Sequence, residues 1–394
     1  MRITILFLLL GYLLSQFYRS FLAVLTPALT ADLAVTAEAL ARASGLWFLA
    51  FALTQLPLGW ALDRLGPRRS AAGLSLVAAV GAAVFAAAEG AAGITVAMVL
   101  LGIGSAPMLM ASFYIFGRVY PPAVFGTLAG VMLGVGSLGN IAAAWPLAWA
   151  VESFGWRASM LGMAGITALA ALAVWRFVVD PPPAPAGAEG QDGVLSGLVT
   201  LLRIPALWLI FPLLAVNYAP AAGLRGLWVG PYLEEVFGAT TATIGLGTLV
   251  MALAMTLGAF AYGPLDRLFG TRKGVVLAGN LGTALALGLL WLAPAEGMWG
   301  SVALLAAIGL FGSSFPLLMA HGRSFLPPHL LGRGVTLMNL FAIGGVGVLQ
   351  MLSARVHTAA GADPVAAHAA VFAFFGIALA VGLAFYAFSR DRTD

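Results

Sequence analysis

The chain has 394 residues, of which 61% are apolar and only 9% charged, and its mean hydropathy is +1.01, a balance that no water-facing globular surface tolerates. It therefore reads as an all-α integral membrane protein, and without cysteine it can have neither disulfides, thiolate metal ligands nor thiol catalysis. A net charge of +4 and a pI near 9.7 would suit nucleic acid only if the basic residues shared one water-exposed face, which their placement excludes.

Twelve apolar runs follow one another with short polar breaks, each near the roughly 20 residues that a bilayer core of about 30 Å requires of a helix. They fall at residues 3–28, 43–63, 70–89, 93–117, 123–151 and 156–178, then at 205–234, 241–264, 273–293, 298–320, 331–355 and 365–389. The opening run resembles a signal peptide, but it is too long and carries Gln16, Tyr18 and Arg19, so it reads as the first span. The second run ends in GWALDRLGPRR, Gly59 to Arg69, a tight hairpin that packs Asp63, Arg64, Arg68 and Arg69 around Gly66 and Pro67. Small residues at Gly59 and Gly66 let backbones approach closely, and Asp63 is suited to cap or pair with a basic residue on a neighbouring helix end, latching that side of the protein.

The polar, Pro- and Gly-rich stretch Asp180 to Gly193 reads as a flexible cytoplasmic linker, followed at Ser196 to Ile204 by a short helix lying on the membrane surface. The organisation is thus a six-span bundle at 1–179, a linker at 180–204 and a second six-span bundle at 205–394. The second bundle repeats the first. YGPLDRLFGTRK, Tyr262 to Lys273, restates the hairpin with Asp266 and Arg267, and FGRVYPP, Phe116 to Pro122, matches HGRSFLPP, His321 to Pro328, so that Arg118 corresponds to Arg323. Parallel repeats of this kind are used by transporters whose binding site lies at mid-membrane between the halves. With the N-terminus and linker placed inside, 14 basic residues fall on the inner side and 3 on the outer, which predicts a multi-pass protein of the inner (plasma) membrane with both termini cytoplasmic.

On these residues the chain resembles the major facilitator superfamily over nearly its whole length. That superfamily's signature between the second and third spans, G-x-x-x-D-R-x-G-x-R-R, is matched by Gly59, Asp63, Arg64, Gly66, Arg68 and Arg69. The second copy departs from it, with Tyr262 in place of the first glycine and one extra residue between Arg267 and Gly270. The resemblance implies two pseudo-symmetric six-helix bundles that rock to give alternating access. The few histidines lie near span ends or loops and there is no nucleotide-binding loop, so neither enzymatic activity, cofactor nor ATP drive is expected.

Two basic residues remain, Arg19 and Arg225, and both fall inside spans. Arg19 stands 44 residues before Asp63 and Arg225 stands 41 before Asp266, so the first and seventh spans carry them at matching depth. A charge near mid-bilayer costs at least about 2.5 kcal/mol and normally faces a cavity. The predicted span interiors hold no Asp or Glu, since Asp32, Glu234 and Glu235 fall at outer ends. A substrate anion would supply the missing charge, and the guanidinium fork suits carboxylate or phosphate oxygens. Snorkelling or pairing with helix-end carbonyls is the plainer alternative. The pair resembles that of the organophosphate:phosphate antiporter branch and of organic anion carriers.

Around the arginines, Gln16, Tyr18, Asn217, Tyr218 and Trp228 are candidate substrate contacts, with Tyr18 and Trp228 as cavity walls and Tyr232 as an interfacial aromatic. Asn140, Asn339 and Gln350 add polarity to the fifth and eleventh spans, where hydrogen bonding between helices explains them equally well. The glycines of these spans, Gly126 to Gly139 and Gly344 to Gly347, are expected to pack against the eighth and second spans, and the Gly-Pro pair of proton-coupled drug exporters is missing. His321 reads as a helix cap, and Met251 and Met255 as packing rather than a soft-metal path. Gating is assigned to the hairpin residues, to Asp266 and Arg267, and to Arg118 and Arg323. The expected function is secondary or facilitative transport of a small organic or inorganic anion, by antiport, symport or uniport, in a monomer whose partners are that anion and the lipid bilayer. Efflux of drugs or other lipophilic compounds, and carriage of a metal or metallophore, are the alternatives.

Overall fold

The structure is a computed structural model that describes residues 2–181, 200–327 and 330–392, and these form helices and turns without a strand. Among the described residues eleven helices are long and apolar enough to cross a membrane: Ala37–Arg64, Pro67–Ala86, Ala91–Val119, Thr127–Phe154, Trp156–Phe177, Pro205–Phe237, Thr241–Phe269, Arg272–Leu292, Met298–Arg323, Arg333–Ala359 and Pro364–Tyr386. Ile3–Phe17 and Leu22–Leu33, bent by 50° where they meet, form the remaining span at the N-terminus and bring the number to the expected twelve. The second span starts earlier than hydropathy suggests. Thr36 caps it by accepting the Ala39 N–H at 3.2 Å, and Glu38 pairs with Arg42 one turn on at 2.7 Å, so polar residues complete its first turns. The linker and most of the expected surface helix, residues 182–199, lie outside the described residues, and 200–202 are helical.

The chain divides into two compact units. The first comprises Met1–Ala186, Gly226–Pro231 and Ala239–Leu249, and the second Gly187–Arg225, Tyr232–Gly238 and Val250–Asp394. In each, large apolar side chains such as Leu53, Leu169, Leu172, Leu257, Phe260, Leu285 and Ile377 remain exposed, as lipid-facing helices require.

Small residues set the helix contacts inside each unit. A Cβ on Gly104 of the fourth span would stand 2.3 Å from the backbone nitrogen of Ala78 in the third, and one on Gly139 of the fifth would stand 2.0 Å from the Leu13 carbonyl of the first. In the second unit a Cβ on Gly345 would stand 2.1 Å from the Ala215 carbonyl of the seventh span. These positions admit only glycine, because the obstacle is backbone. The fifth and eleventh spans thus aim these glycines at the first and seventh, not at the eighth and second as the sequence suggested. Contact between the fifth and eighth spans is made from the other side, by Gly245 against Ala148 and Trp145.

Among the described residues five spans are broken, four of them in corresponding pairs, while the fifth divides at Ala143–Ala144 and its counterpart, the eleventh, is continuous. The fourth divides at Ala106 before Pro107, and the tenth at a 3-10 turn over Gly312–Ser314 before Phe315 and Pro316. The first divides at residues 18–21, and the seventh runs through short helices into a π-helical turn at Leu224–Trp228. Arg19 and Arg225 lie in these last two breaks.

Candidate functional site

The break in the first span has a local cause. The amides of Arg19 and Ser20 reach back three residues, to Gln16 at 3.3 Å and Phe17 at 3.1 Å, and the Ser20 hydroxyl also donates to the Gln16 carbonyl at 3.4 Å. A side chain that competes for a backbone acceptor loosens the helical ladder and bends it. Arg19 leaves the helix here, and its guanidinium lies over two rings of the second span, 5.6 Å from the Trp47 centroid and 5.1 Å from that of Phe51. The rings are themselves stacked, 5.3 Å apart and inclined by 19°. Among the described residues no carboxylate stands within ion-pair distance of Arg19, and its buried Nε has no hydrogen-bond partner. Arg19 is thus a partly buried cation held by aromatic faces.

Arg225 is 1% exposed and sits in the π-helical turn. Pro220 withholds an N–H from the preceding ladder, and Gly223 and Gly226 allow the chain to pass close to its neighbours. Residues of the seventh span just beyond Arg225 cross the first span inside the first unit: a Cβ on Gly226 would stand 3.1 Å from the Arg19 carbonyl, and one on Gly230 would stand 2.0 Å from that of Ala23. Single π-helical turns inside α-helices recur at functional sites, and interrupted spans mark transporter binding sites.

The other candidate contacts divide. Ser20, beside Arg19, donates to Asn140 Oδ1 at 3.3 Å, which places Asn140 of the fifth span near the first break. Gln16 is buried, donates to the Tyr12 hydroxyl at 3.2 Å, and leaves its Oε1 without a partner. Tyr18 points away from Arg19: its hydroxyl meets Thr167 of the sixth span at 2.7 Å, so it fastens two helices rather than walling a cavity. Asn217 likewise turns inward, donating to Asn280 of the ninth span at 2.7 Å and to Ser314 of the tenth at 3.0 Å. Tyr218 lies against Phe315, Trp228 is buried, and Asn339 is half-buried. Tyr232 is fully buried and hydrogen-bonded to Ser301 at 2.8 Å, so it is not an interfacial aromatic. Gln350 is buried against Gly223, and neither of its amide atoms has a partner among the described residues.

At the motif-bearing ends the hairpin is tied from two directions. Gly66 adopts φ 85°, a left-handed turn that favours glycine, and starts the third span. Asp63 meets Arg118 of the fourth span at 3.6 Å, and Tyr114 lies under the Arg118 guanidinium at 4.2 Å. Asp180, just past the sixth span, accepts the Arg68 N–H at 2.7 Å and caps the third span. Arg64 and Arg69 are exposed, as is Gly59's surrounding face. In the second unit Asp391, just past the twelfth span, does the same for the ninth: it accepts the Lys273 N–H at 2.9 Å and the Thr271 hydroxyl. Burial alone would raise the Asp391 pKa, but these hydrogen bonds hold it below the ordinary carboxylate value. Asp266 pairs with Arg272 at 3.1 Å, within its own loop, while Arg267 and Arg323 are exposed. His321 is not a cap: its ring bridges the Tyr386 hydroxyl at 2.7 Å and the Arg390 carbonyl at 2.9 Å.

The family model described as Major Facilitator Superfamily matches residues 8–227 and again 216–394, which together span almost the whole chain. The chain belongs to the Major Facilitator Superfamily. No curated protein matches the sequence. Among solved structures, a bacterial homolog of the human lysosomal transporter Spinster, inward-facing and occupied, superposes with a TM-score of 0.75 at 17% identity, covering 98% of this chain and 96% of the other. The D-xylose-proton symporter gives 0.76 at 15% identity and covers 98% and 97%, and the nucleoside transporter NupG gives 0.76 at 14% identity and covers 98% and 99%. At these identities the likeness is one of fold. As a member of the superfamily, the protein is a multi-pass membrane transporter that works by alternating access, not an enzyme.

Several residues of this superfamily member escape a reading of sequence. Trp47 and Phe51 stand one helical turn apart, a spacing that signals only an apolar face. Asp180 looks like linker, and Asn280 and Ser314 become notable only once Asn217 is seen between them. Met251 and Met255 pack against Gly309, consistent with the packing role expected of them.

Proposed function

We propose that this superfamily member carries a small organic or inorganic anion, with Arg19 and Arg225 as its ligands. One observation carries the reading: each arginine occupies a broken turn, and that of Arg19 is crossed by Gly226, the residue next to Arg225, while no carboxylate of the described residues pairs with Arg19. A guanidinium without a carboxylate partner in a span needs an anion, and its fork takes two oxygens of a carboxylate or phosphate at once. Resemblance of the pair to organophosphate:phosphate antiporters and organic anion carriers supports the same class. Asn140, Gln16, Tyr218, Trp228 and Asn339 complete the proposed site. The Asn217 amide nitrogen and the Tyr18 hydroxyl are engaged between helices and act as its frame.

In this reading the anion relieves the repulsion between two cations, and the neutralised site lets the two six-helix bundles, 1–179 and 205–394, rock past it in antiport, symport or uniport. The hairpin residues with Arg118 hold and release the motif-bearing side, while Asp266, paired with Arg272 inside its own loop, keeps the second hairpin in shape and leaves Arg267 and Arg323 exposed. We place the protein as a monomer in the inner membrane with both termini cytoplasmic, following its basic residues.

The test is thermal stabilisation of purified protein by a panel of carboxylates, phosphate esters, inorganic oxyanions and lipophilic cations, beside the double variant Arg19→Ala, Arg225→Ala. Ligand at 100 times its Kd adds about 2.7 kcal/mol of apparent stability. An anion that stabilises wild type and not the variant supports the reading. Stabilisation by cations alone, or equal in both proteins, refutes it and favours drug efflux.

A further inference from the structure

Two of the chain's four histidines converge on one carboxylate, far in sequence from the arginines' breaks. Glu235 closes the seventh span, His357 lies in the last turn of the eleventh, and His368 opens the twelfth, all inside the second unit. His368 Nε2 is 2.8 Å from Glu235 Oε2, and His357 Nε2 is 3.9 Å from the same oxygen. The imidazole centroids are 4.9 Å apart, and the three donor atoms all lie within 4.8 Å of one another. His368 is fully buried, whereas the side chains of His357 and Glu235 are 16% and 34% exposed, so the cluster is walled on one side and open on the other.

We propose that Glu235, His357 and His368 form a site for a divalent transition metal of the zinc class. Zinc binds imidazole nitrogen at about 2.0–2.1 Å and carboxylate oxygen at about 2.0–2.2 Å, which in a tetrahedron sets donors roughly 3.3 Å apart. The separations of 2.8 and 3.9 Å bracket that value, and the third lies within 4.8 Å, a gap that rotation of the partly exposed His357 ring can close. Charge favours the same occupant. One carboxylate balances one imidazolium, whereas a divalent cation uses both imidazoles as neutral donors and the carboxylate as an anionic one. Two histidines and one glutamate with an open fourth position are a donor set that zinc accepts, and the absence of thiols disfavours softer ions. The partly exposed side admits the ion and leaves room for water as fourth ligand. Tyr232 supports the buried side, its ring 5.4 Å from that of His368 and its hydroxyl fixed by Ser301. A metal here ties the seventh, eleventh and twelfth spans at the end opposite the charged hairpins.

The inference is independent of which substrate is carried. It is tested on full-length, tag-free protein stripped with chelator, by calorimetric titration with zinc chloride, a cobalt(II) absorption spectrum and thermal melts. One zinc per chain, visible bands of low-symmetry cobalt and a zinc-dependent rise in melting temperature are expected. Glu235→Gln and His357→Gln, both at partly exposed positions that tolerate a neutral amide, should each weaken zinc at least tenfold while leaving the zinc-free melt near wild type. Zinc binding that is absent, or unchanged in both variants, overturns the proposal. So does a melt that responds to pH at this cluster yet is indifferent to zinc and chelator, which would make it a proton-binding group.

Discussion

Replacing Arg19 with lysine isolates the guanidinium fork from the charge. Lysine keeps the positive charge and the stem that passes Trp47 and Phe51, but it presents a point charge in place of two parallel donors. Losing one charge-assisted hydrogen bond costs about 1.5–3 kcal/mol, which corresponds to a Kd raised roughly 10- to 150-fold. Little of that cost should appear in the ligand-free protein, because Arg19 has no carboxylate within ion-pair distance among the described residues and its Nε donates no hydrogen bond to lose. The assay is therefore a pair of measurements: calorimetric affinity for whichever anion stabilises wild type, and the melting temperature without it. Weakened binding with an unmoved melt is the expected result. Wild-type affinity in Arg19→Lys refutes the clamp, and an affinity loss accompanied by an equal collapse of the ligand-free melt assigns Arg19 to the fold.

Asp63→Asn breaks an exposed pair with Arg118 worth at most about 1 kcal/mol, so anion affinity should hold while turnover in proteoliposomes falls; an unchanged turnover would remove the hairpin from gating. Asn217→Ala should cost the fold roughly 0.6–1.7 kcal/mol by opening its bonds to Asn280 and Ser314, with affinity near wild type, as read by melt and calorimetry together. Asp391 has a depressed folded pKa, so its contribution to stability is present above the ordinary aspartate value and is lost as pH falls through the folded one. Asp391→Asn should accordingly flatten the acid side of a melt-versus-pH curve, and an unaltered curve would show that the cap carries no linkage.

Hydropathy alone makes the twelve spans legible, because a bilayer constrains length and polarity more tightly than water does. The repeat is legible too, since the hairpin and the Gly-Arg span ends recur in order. Partners are much less so. A lone Asn in an apolar helix signals a need for a hydrogen bond without saying whether substrate or a neighbouring span will meet it, and Asn217 and Tyr18 proved to face neighbours. Breaks hide for a related reason. Pro220 and Gly223 hint at one in the seventh span, but the break at Arg19 arises from a serine hydroxyl taking a share of the Gln16 carbonyl, which no composition rule marks. The glycines of the fifth and eleventh spans were visible as contact points, yet which helix they meet depends on rotation about the span axis, a quantity that close glycine spacing leaves open.

The two repeats separate what the fold requires from what each half has specialised. Asp180 and Asp391 arrive from the ends of the sixth and twelfth spans and cap the third and ninth in the same way, although the residues around them share little. The reason is general: the first amides of a helix at the membrane surface have no carbonyl to bond and carry partial positive charge, so any six-span unit needs an acceptor there. The charged pair beside the cap has no such obligation, and it differs. Asp63 reaches across to Arg118, whereas one extra residue before Gly270 brings Arg272 within 3.1 Å of Asp266, so the second pair closes inside its own loop. Both pairs lie inside their own unit, but the first ties two spans end to end, so the spacing of those spans depends on it, whereas the second ties only one loop. Of the two hairpins it is therefore the first, through Asp63 and Arg118, whose chemistry is suited to govern movement, while the second serves to hold its loop in shape.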